Sequence, residues 1–263
     1  MPTPAPDVAV IGGSGLYTLL ENGRDITVDT PYGSPSAPLT VGTLGDRTVA
    51  FLPRHGRHHE FPPHRVNYRA NLWALRQAGV SRILATGAVG SLTPDIPPGS
   101  LVVPDQLVDR TSGRAQTFFD GPHVAHASFA DPYCEEGRTA VLKAAGRCGW
   151  DAVDGGVQVV VEGPRFSTRA ESRWYAAQGW SVIGMTAHPE GVLARELGLC
   201  CVPLCLVTDH DAGVEAGTGV TQEAVMETFH ANLRRLRDVL AEALGALPGV
   251  PSCPCRRLRP ASL

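Results

Sequence analysis

The sequence carries little net charge: 23 lysine and arginine residues stand against 26 aspartate and glutamate residues, a formal net charge of −3 at pH 7. No basic stretch typical of a nucleic-acid surface is present. The sequence also has no apolar run near the roughly 18 residues of a membrane span, and its first residues lack the basic start and apolar core of a signal peptide. These absences predict a cytoplasmic protein that binds a small molecule and has neither nucleic acid nor membrane as a partner.

Common cofactor and metal signatures are missing too. The glycines at 12–15 lack the G-x-G-x-x-G spacing of a dinucleotide site, and no G-K-[ST] marks a P-loop. The seven cysteines are odd in number and unevenly placed, which predicts reduced thiols. Cys253 and Cys255 form a C-x-C without further ligands beside them, so we expect no structural metal.

Short apolar runs recur along the 263 residues and are typical of buried strands, at 8–11, 49–52, 83–85, 101–103, 157–161, 182–185 and 200–207. Segments with helical spacing alternate with them, at 67–78, 168–178, 190–197 and 221–247. Thr221 is the predicted N-cap of the last helix. This alternation predicts an α/β layered domain.

Small polar clusters follow the first two predicted strands. The glycines at 12–15 let backbone N–H groups face an anion, and Ser14 adds a hydroxyl, although a tight turn explains them equally well. Arg54 offers a planar fork of donors suited to phosphate, and His55 can donate or move a proton. A solvated loop is one alternative. A zinc site is another, formed by His55, His58, His59 and His64, but the prolines at 62 and 63 oppose the helix that such a site prefers.

Three later segments follow predicted strands in the same way. The stretch 86–91 is small and glycine-rich. Phe166 can stack on a flat ring, or it can be a core residue. Asp209 and Asp211 are separated by one residue and so point the same way; burial would raise their pKa values and suit one to proton donation, whereas a solvated strand exit would not. Because ligands favour the carboxyl edge of a parallel sheet, we expect these clusters to form one composite site.

Together these segments resemble the trimeric methylthioadenosine and purine nucleoside phosphorylase family, from about Val8 to about Leu240. The matching pieces are Gly12-Gly13-Ser14-Gly15, Arg54-His55-Gly56, Val66-Asn67-Tyr68-x-Ala70-Asn71, Glu162-Gly163-Pro164-Arg165-Phe166, Met185-Thr186-x-x-Pro189-Glu190 and Thr208-Asp209-x-Asp211. The resemblance implies a single three-layer α/β domain over 1–247, with a central mixed, twisted sheet flanked by helices, then a flexible tail over 248–263. It also implies a homotrimer.

The activity implied by the resemblance is phosphorolysis of the N-glycosidic bond of 5′-methylthioadenosine or a related 5′-modified adenosine. Inorganic phosphate is the co-substrate, and no metal or organic cofactor is needed. The implied phosphate site comprises Ser14, Arg54, His55, Gly87, Ala88 and Thr186. Gly87 stands where methylthioadenosine phosphorylases commonly carry threonine, so Thr86 is a candidate replacement for that hydroxyl.

The implied substrate contacts are Phe166, Met185, Asp209, His210 and Asp211. Phe166 would stack on the base, Met185 would contact the ribose, and Asp209 would be the catalytic acid. The implied specificity positions are Ser167, Gln222, Val220, Met226 and His126. Of these, His126 would reach in from a neighbouring subunit, and Gln222 stands where close relatives usually have an apolar residue.

The two carboxylates favour adenine, because a carboxylate accepts from a 6-amino group but repels a 6-oxo group. Gly184 points the other way: it replaces an asparagine common in methylthioadenosine phosphorylases and resembles the ordinary purine nucleoside phosphorylases. The alternatives are therefore a 6-oxopurine nucleoside phosphorylase, a hydrolytic nucleosidase of the same fold, and a catalytically silent nucleotide-binding protein.

Overall fold

The computed structural model describes residues 5–13, 16, 19–214, 219–249 and 251–257. Within them, eleven strands form one sheet: β1 Val8–Gly12, β2 Glu21–Ile26, β3 Leu39–Leu44, β4 Arg47–Pro53, β5 Arg82–Ser91, β6 Leu101–Val103, β7 Gln106–Arg110, β8 Val153–Asp154, β9 Val157–Val161, β10 Val182–Gly184 and β11 Cys200–His210. The α-helices are α1 Tyr68–Gln77, α2 Glu135–Arg147, α3 Arg169–Ala177, α4 Ala187–Glu196 and α5 Gln222–Ala246, and short 3-10 helices lie at Pro63–Arg65 and Pro254–Arg257.

Strand β5 is the branching strand of the sheet. Its first residues pair in parallel with β1, and its last residues pair antiparallel with β10. Along its whole length it also pairs in parallel with β11, from Cys200 opposite Arg82 to His210 opposite Ser91. The sheet runs β2-β3-β4-β1-β5-β10-β9-β7, while β11, β6 and β8 branch from β5. The sheet is therefore mixed, as predicted.

Helices cover both faces of the sheet. Alternate residues of β1 point to opposite faces: Val8 and Val10 share an apolar cluster with Val141 of α2 and with residues along α5. Ala9 and Ile11 share the second cluster with residues of α1 and α4. This arrangement confirms the predicted three-layer α/β fold.

Polar side chains define where three of the helices begin. The Asn67 side chain accepts from the backbone N–H of Ala70 at the start of α1. Thr168 caps α3 in a reciprocal capping box with Glu171. Thr221 accepts from the N–H of Ala224 at 3.3 Å, which confirms it as the N-cap of α5.

Two strands extend past their predicted ends. The apolar run at 83–85 lies within the longer strand β5, so the glycine-rich stretch 86–91 continues the strand and is not a turn after it. Strand β11 likewise runs on to His210, with a register shift between Val207 and Asp209. Consequently the glycines of β5 lie beside Asp209 in β11 and Asp211 just after it.

The end of the chain packs against the body. Arg47 Nη1 donates to the carbonyl of Leu247 at 3.0 Å, and Arg82 Nη1 donates to the carbonyl of Pro248 at 2.5 Å. Within 251–257, Cys255 is buried. The domain limits 1–247 and the flexibility of 248–263 stay predictions. No helix in the described ranges is long and apolar enough to cross a membrane.

Candidate active site

A cavity of about 400 Å³ lies along the branch of the sheet and is large enough for a nucleoside. It brings together twelve of the predicted site residues: Arg54, His55, Gly87, Ala88, Phe166, Ser167, Met185, Thr186, Asp209, Asp211, Gln222 and Met226. They come from β5 and β11, from the ends of β4 and β10, from the loop after β9 and from the first turns of α5. The expected composite site is thus one physical cavity.

Ser14 lies outside the described residues. Three other predicted residues do not line this cavity. His210 and Val220 do not line the cavity as the described residues form it, although both are close in sequence to residues that do. His126 is exposed in the connection between β7 and α2 and contributes nothing to the cavity of its own chain.

Arg54 follows β4 and is held in place by a carboxylate that the sequence analysis assigned no role. Its Nε and Nη2 donate to the two carboxylate oxygens of Glu190, each at 2.8 Å, and its Nη1 donates to the carbonyl of Thr86 at 2.8 Å. Arg54 and Glu190 are 3% and 2% exposed. Burial alone would lower the Arg54 pKa, but the adjacent Glu190 carboxylate raises it, so the guanidinium is a permanent cation.

His55 is neutral at physiological pH. Burial and the neighbouring Arg54 charge lower its pKa to about 4. Its Nδ1 lies 2.8 Å from the carbonyl oxygen of Phe61, which can only accept, so Nδ1 carries the ring proton. The remaining ring nitrogen, Nε2, is therefore a hydrogen-bond acceptor. Beside Arg54 it suits an anion that keeps an O–H group.

Gly87 leaves open space where a larger residue would lie, since a Cβ atom there would meet no described heavy atom within 4 Å. Thr86 is 1% exposed and its Oγ1 donates to the carbonyl of Ile11 at 3.3 Å, so this hydroxyl already has a partner. Thr86 does not line the large cavity, but it lines a smaller pocket with Arg54, Gly87 and Thr186. Its compensation for the missing hydroxyl stays a prediction.

The two carboxylates lie at the far end of β5. Burial raises the pKa of Asp209 to about 6, and the Asp211 charge adds to the effect while a hydrogen bond from Thr208 opposes it. Burial also raises the pKa of Asp211, against a 2.5 Å hydrogen bond from Ser172 Oγ. Asp209 is thus an acid that can hold or release a proton near neutral pH.

Glycine at position 90 makes room for these carboxylates. A Cβ there would lie 3.0 Å from Asp209 Oδ2 and 3.3 Å from Asp211 Cβ. Thr86, whose carbonyl contacts Arg54, and Gly90 are four positions apart on β5, which corresponds to roughly 13 Å of extended chain. The cation and the carboxylate pair therefore lie against different parts of this strand.

Apolar side chains line the space between these ends. Phe166 is 36% exposed and lines the cavity, so it is not a core residue. From α5, Val225, Met226 and Phe229 line the cavity, whereas Gln222 in the first turn is exposed. The amide of Gln222 can therefore stay in water at the rim, and the deeper wall is apolar.

Position 184 has little room for any side chain larger than glycine. A Cβ on Gly184 would lie 2.6 Å from Nε2 of Gln158 and 3.3 Å from Cγ1 of Val89. Gln158 is 4% exposed and also contacts Cys205. This glutamine occupies the volume that a side chain at 184 would need.

The four neighbouring histidines do not gather around one point. His55 and His59 stack with ring centroids 4.7 Å apart, and both line the cavity. Among the residues that the structure describes, no three of the four place ring nitrogens close enough to share a metal ion. His59 and the prolines at 62 and 63 instead form one wall of the cavity.

The branched sheet and its cavity, with a buried cation at one end and a carboxylate acid at the other, define the nucleoside phosphorylase class of α/β enzymes. A sequence model described as the Phosphorylase superfamily matches residues 7–245, and the chain belongs to this superfamily.

Similar proteins carry two different names. A purine nucleoside phosphorylase from Streptomyces coelicolor is 58% identical, over 95% of this chain and 92% of the relative. An S-methyl-5′-thioadenosine phosphorylase from Mycolicibacterium smegmatis is 56% identical, over 94% of this chain and 93% of the relative. The crystal structure of a methylthioadenosine phosphorylase from an antarctic soil metagenomic library superposes with a TM-score of 0.92 at 39% identity, over 97% of this chain and 91% of that one.

Proposed function

We propose that this enzyme catalyses phosphorolysis of 5′-methylthioadenosine or a related 5′-modified adenosine. The products are adenine and 5-methylthioribose 1-phosphate. The observation that carries the proposal is that one cavity is lined by the buried cation Arg54, by the carboxyl of Asp209 with its raised pKa, and by an apolar wall. The relative at 56% identity, named for methylthioadenosine, supports the same substrate.

The phosphate end of the cavity supplies charge and orientation. Arg54, Thr186 and the backbone N–H groups of Gly87 and Ala88 donate to the anion, with Ser14 as a further proposed donor. Phosphate held there attacks C1′ with inversion as the glycosidic bond lengthens, and its negative charge stabilises the cationic sugar. No metal or organic cofactor takes part in these steps.

The base end of the cavity supplies a proton. Protonated Asp209 donates to N7 of the purine, so that adenine leaves as a neutral base. Asp211, oriented by Ser172, supports the contact with the 6-amino group. Phe166 stacks on the base, and Met185 contacts the ribose. Met226 and its apolar neighbours bind the 5′ substituent. The further specificity positions for this substituent are Ser167, Val220 and Gln222 at the rim. His210 is a further proposed substrate contact.

Phosphate dependence is the decisive test of phosphorolysis. Adenine release from 5′-methylthioadenosine is measured with and without inorganic phosphate, and the sugar product is identified as the 1-phosphate. We expect no turnover without phosphate and a loss of most of the rate in Arg54→Ala. Equal turnover in phosphate-free buffer would show a hydrolytic nucleosidase, and no turnover in either buffer would support a binding protein.

The second candidate function is that of a 6-oxopurine nucleoside phosphorylase, and it is supported by the name of the relative at 58% identity. The choice of base distinguishes this function from the first. A 6-oxo group would face buried acceptors, a mismatch of a few kcal/mol or roughly 10²–10⁴ in selectivity. We expect kcat/KM for methylthioadenosine to exceed that for methylthioinosine by such a factor. The double variant Asp209→Asn, Asp211→Asn should shift the preference toward the inosine form. Equal use of both substrates by the wild type would reject the adenine assignment.

We also propose a cytoplasmic homotrimer. His126 is exposed, and Val124 in the same connection is 74% exposed, so both side chains are accessible to a neighbouring subunit. In a trimer this connection would complete the neighbouring site. Multi-angle light scattering of an active sample tests the stoichiometry, and an active monomer would contradict it.

A further inference from the structure

Four cysteines from three parts of the chain meet at one point outside the cavity. Cys134 is the residue before α2, Cys200 begins β11, and Cys253 and Cys255 lie in the closing segment 251–257. Their Sγ atoms all lie within 4.8 Å of one another, and Cys200 and Cys253 are 3.1 Å apart. All four are free thiols.

The arrangement fits a tetrahedral ion better than it fits ordinary core packing. Zinc bound by four thiolates has Zn–S bonds of about 2.3 Å, which places the sulfur atoms roughly 3.8 Å apart. The observed separations, from 3.1 Å to at most 4.8 Å, bracket that value. Buried free cysteine packs as a small apolar side chain, but aliphatic side chains pack equally well, so packing does not require four thiols to meet at one point.

The four positions are also held firmly enough to form a site. The N–H of Cys134 donates to the carbonyl of Cys201, so α2 and β11 are joined beside the cluster. The N–H of Ser252, next to Cys253, donates to Glu136 Oε2 at 3.0 Å. Cys134, Cys200 and Cys255 are buried, and Cys253 is half-buried, which leaves an edge for a metal ion to enter.

We propose that Cys134, Cys200, Cys253 and Cys255 bind one structural zinc ion, which fastens the closing segment to α2 and β11. The sequence alone predicts no such site because the C-x-C at 253–255 has no neighbouring ligands; the fold supplies the other two from 53 residues and more away. None of the four lines the described cavity, so the zinc has a structural role and the proposed phosphorolysis does not depend on it.

Metal content of the purified full-length chain tests the proposal directly. The protein is prepared without a histidine tag and without chelators, and zinc is measured by mass spectrometry against protein concentration. We expect about one zinc per chain in the wild type and in the control Cys148→Ser, whose cysteine is exposed and outside the cluster. We expect zinc to fall below a tenth of that in the double variant Cys253→Ser, Cys255→Ser.

A second readout uses the wild type alone, so that a variant that fails to fold leaves the proposal testable. Cobalt(II) exchanged into the site should give the intense absorption of tetrahedral thiolate coordination, and chelation should lower the melting temperature without changing kcat/KM. Zinc-free protein in which all seven thiols react freely after unfolding would overturn the proposal. So would an intact mass lower by two hydrogens, which would show a disulfide in place of the ion.

Discussion

At the scale of single residues, the carboxylate of Glu190 fixes the orientation of the Arg54 guanidinium and determines which of its N–H groups are left to bind a ligand. Three of the five guanidinium N–H groups donate to Glu190 and to the Thr86 carbonyl, which leaves one N–H on Nη1 and one on Nη2 as far as the described residues show. Two donors on one edge of a fixed guanidinium match two oxygens of a phosphate. We therefore propose that Glu190 is a positioning residue for the proposed phosphate site.

Replacing Glu190 by glutamine tests this positioning role. Glutamine keeps the shape but accepts through one atom, so a charge-assisted hydrogen bond is lost and the guanidinium can rotate. We expect the KM for phosphate to rise roughly 10–100-fold, in line with about 1.5–3 kcal/mol for such a bond, with a smaller change in the KM for nucleoside. Glu242→Gln, at an exposed pair with Arg147, is the control. Equal changes in both KM values would contradict the positioning role.

The raised pKa of Asp209 suits it to proton donation but lowers the free energy of unfolding at neutral pH. Its pKa in the folded protein is raised to about 6 from a usual value of 3.8, so the charged form is disfavoured by folding. Below pH 3.8 this carboxyl group is protonated in both states and does not lower the free energy of unfolding. As the pH rises from 3.8 to about 6 the free energy of unfolding falls, and above about pH 6 the loss stays constant. The shift corresponds to at most about 3 kcal/mol.

We therefore expect Asp209→Asn to abolish adenine release yet to be more stable than the wild type at pH 8, by about 1–3 kcal/mol. The advantage should vanish near pH 4, where the wild-type carboxyl is protonated as well. Urea denaturation at the two pH values measures it. A variant that is less stable than the wild type at pH 8 would show that the carboxylate is not destabilising.

The same acid predicts a pH profile. If protonated Asp209 donates to the purine, kcat/KM should be level below about pH 6 and fall up to tenfold per pH unit above it. The sequence predicts the two carboxylates from their spacing. It does not predict the burial that sets this pKa, nor the contact of Arg54 with Glu190, because that pair is 136 residues apart in the chain.

At the scale of elements, β5 positions both ends of the site, and its glycines differ in what surrounds them. A Cβ on Gly87 meets open space, while a Cβ on Gly90 presses on Asp209 Oδ2 at 3.0 Å and on Ile183 Cγ2 at 3.1 Å. The strand itself was predicted to end at residue 85, because glycine and alanine do not have the bulk typical of strands. Pairing with β11 over the whole length overrides that local preference.

The two glycines form a matched pair of variants. Gly87→Ala should keep kcat/KM within about threefold of the wild type. Gly90→Ala should lower it more, by up to about 100-fold, the effect of displacing a reacting group by 1 Å, because Asp209 must shift to admit the Cβ. Gly87→Thr should lower the KM for phosphate by adding a hydroxyl to the open space. Steady-state kinetics of the three proteins measure this, and equal effects of alanine at both positions would contradict the geometry.

Helix α2 and strand β2 show why other elements escaped prediction. The buried face of α2 is made largely of small residues, among them Ala140, Ala144 and Ala145, so its apolar periodicity is weak. Strand β2 is exposed along nearly its whole length and joins the sheet through its backbone. Elements with large buried side chains, such as α5, have boundaries close to those that their pattern predicts.

At the scale of the whole molecule, the proposed trimer makes each site the joint product of two chains. Asp209 would come from one subunit and His126 from its neighbour, in a closed cyclic arrangement. His126→Ala should weaken nucleoside binding, and Asp209→Asn should remove the proton donor. Neither single variant would then be fully active.

Mixing the two variants tests shared sites. Random trimers of Asp209→Asn and His126→Ala chains contain sites that take the intact residue from each, and these should be roughly a quarter of all sites. We expect coexpressed chains to recover about that fraction of wild-type kcat/KM, well above the sum of the separate variants. Separately purified proteins mixed without exchange are the control. Additive activity in the coexpressed sample would mean that each site is complete within one chain.

The proton on Nδ1 of His55 has a consequence for which anions the enzyme can admit. The lone pair on Nε2 can accept a hydrogen bond from an oxyanion that carries an O–H group, as phosphate and arsenate do at neutral pH. It repels sulfate, which has no O–H group to donate. Sulfate should therefore inhibit weakly at pH 7, because His55 must first gain a proton against a pKa of about 4. Its inhibition should strengthen up to tenfold for each unit that the pH falls toward 5. Arsenate should replace phosphate as co-substrate. The backbone carbonyl of Phe61, by fixing the proton on Nδ1 of His55, would thus make the enzyme select tetrahedral anions by whether they carry a proton and not by their size.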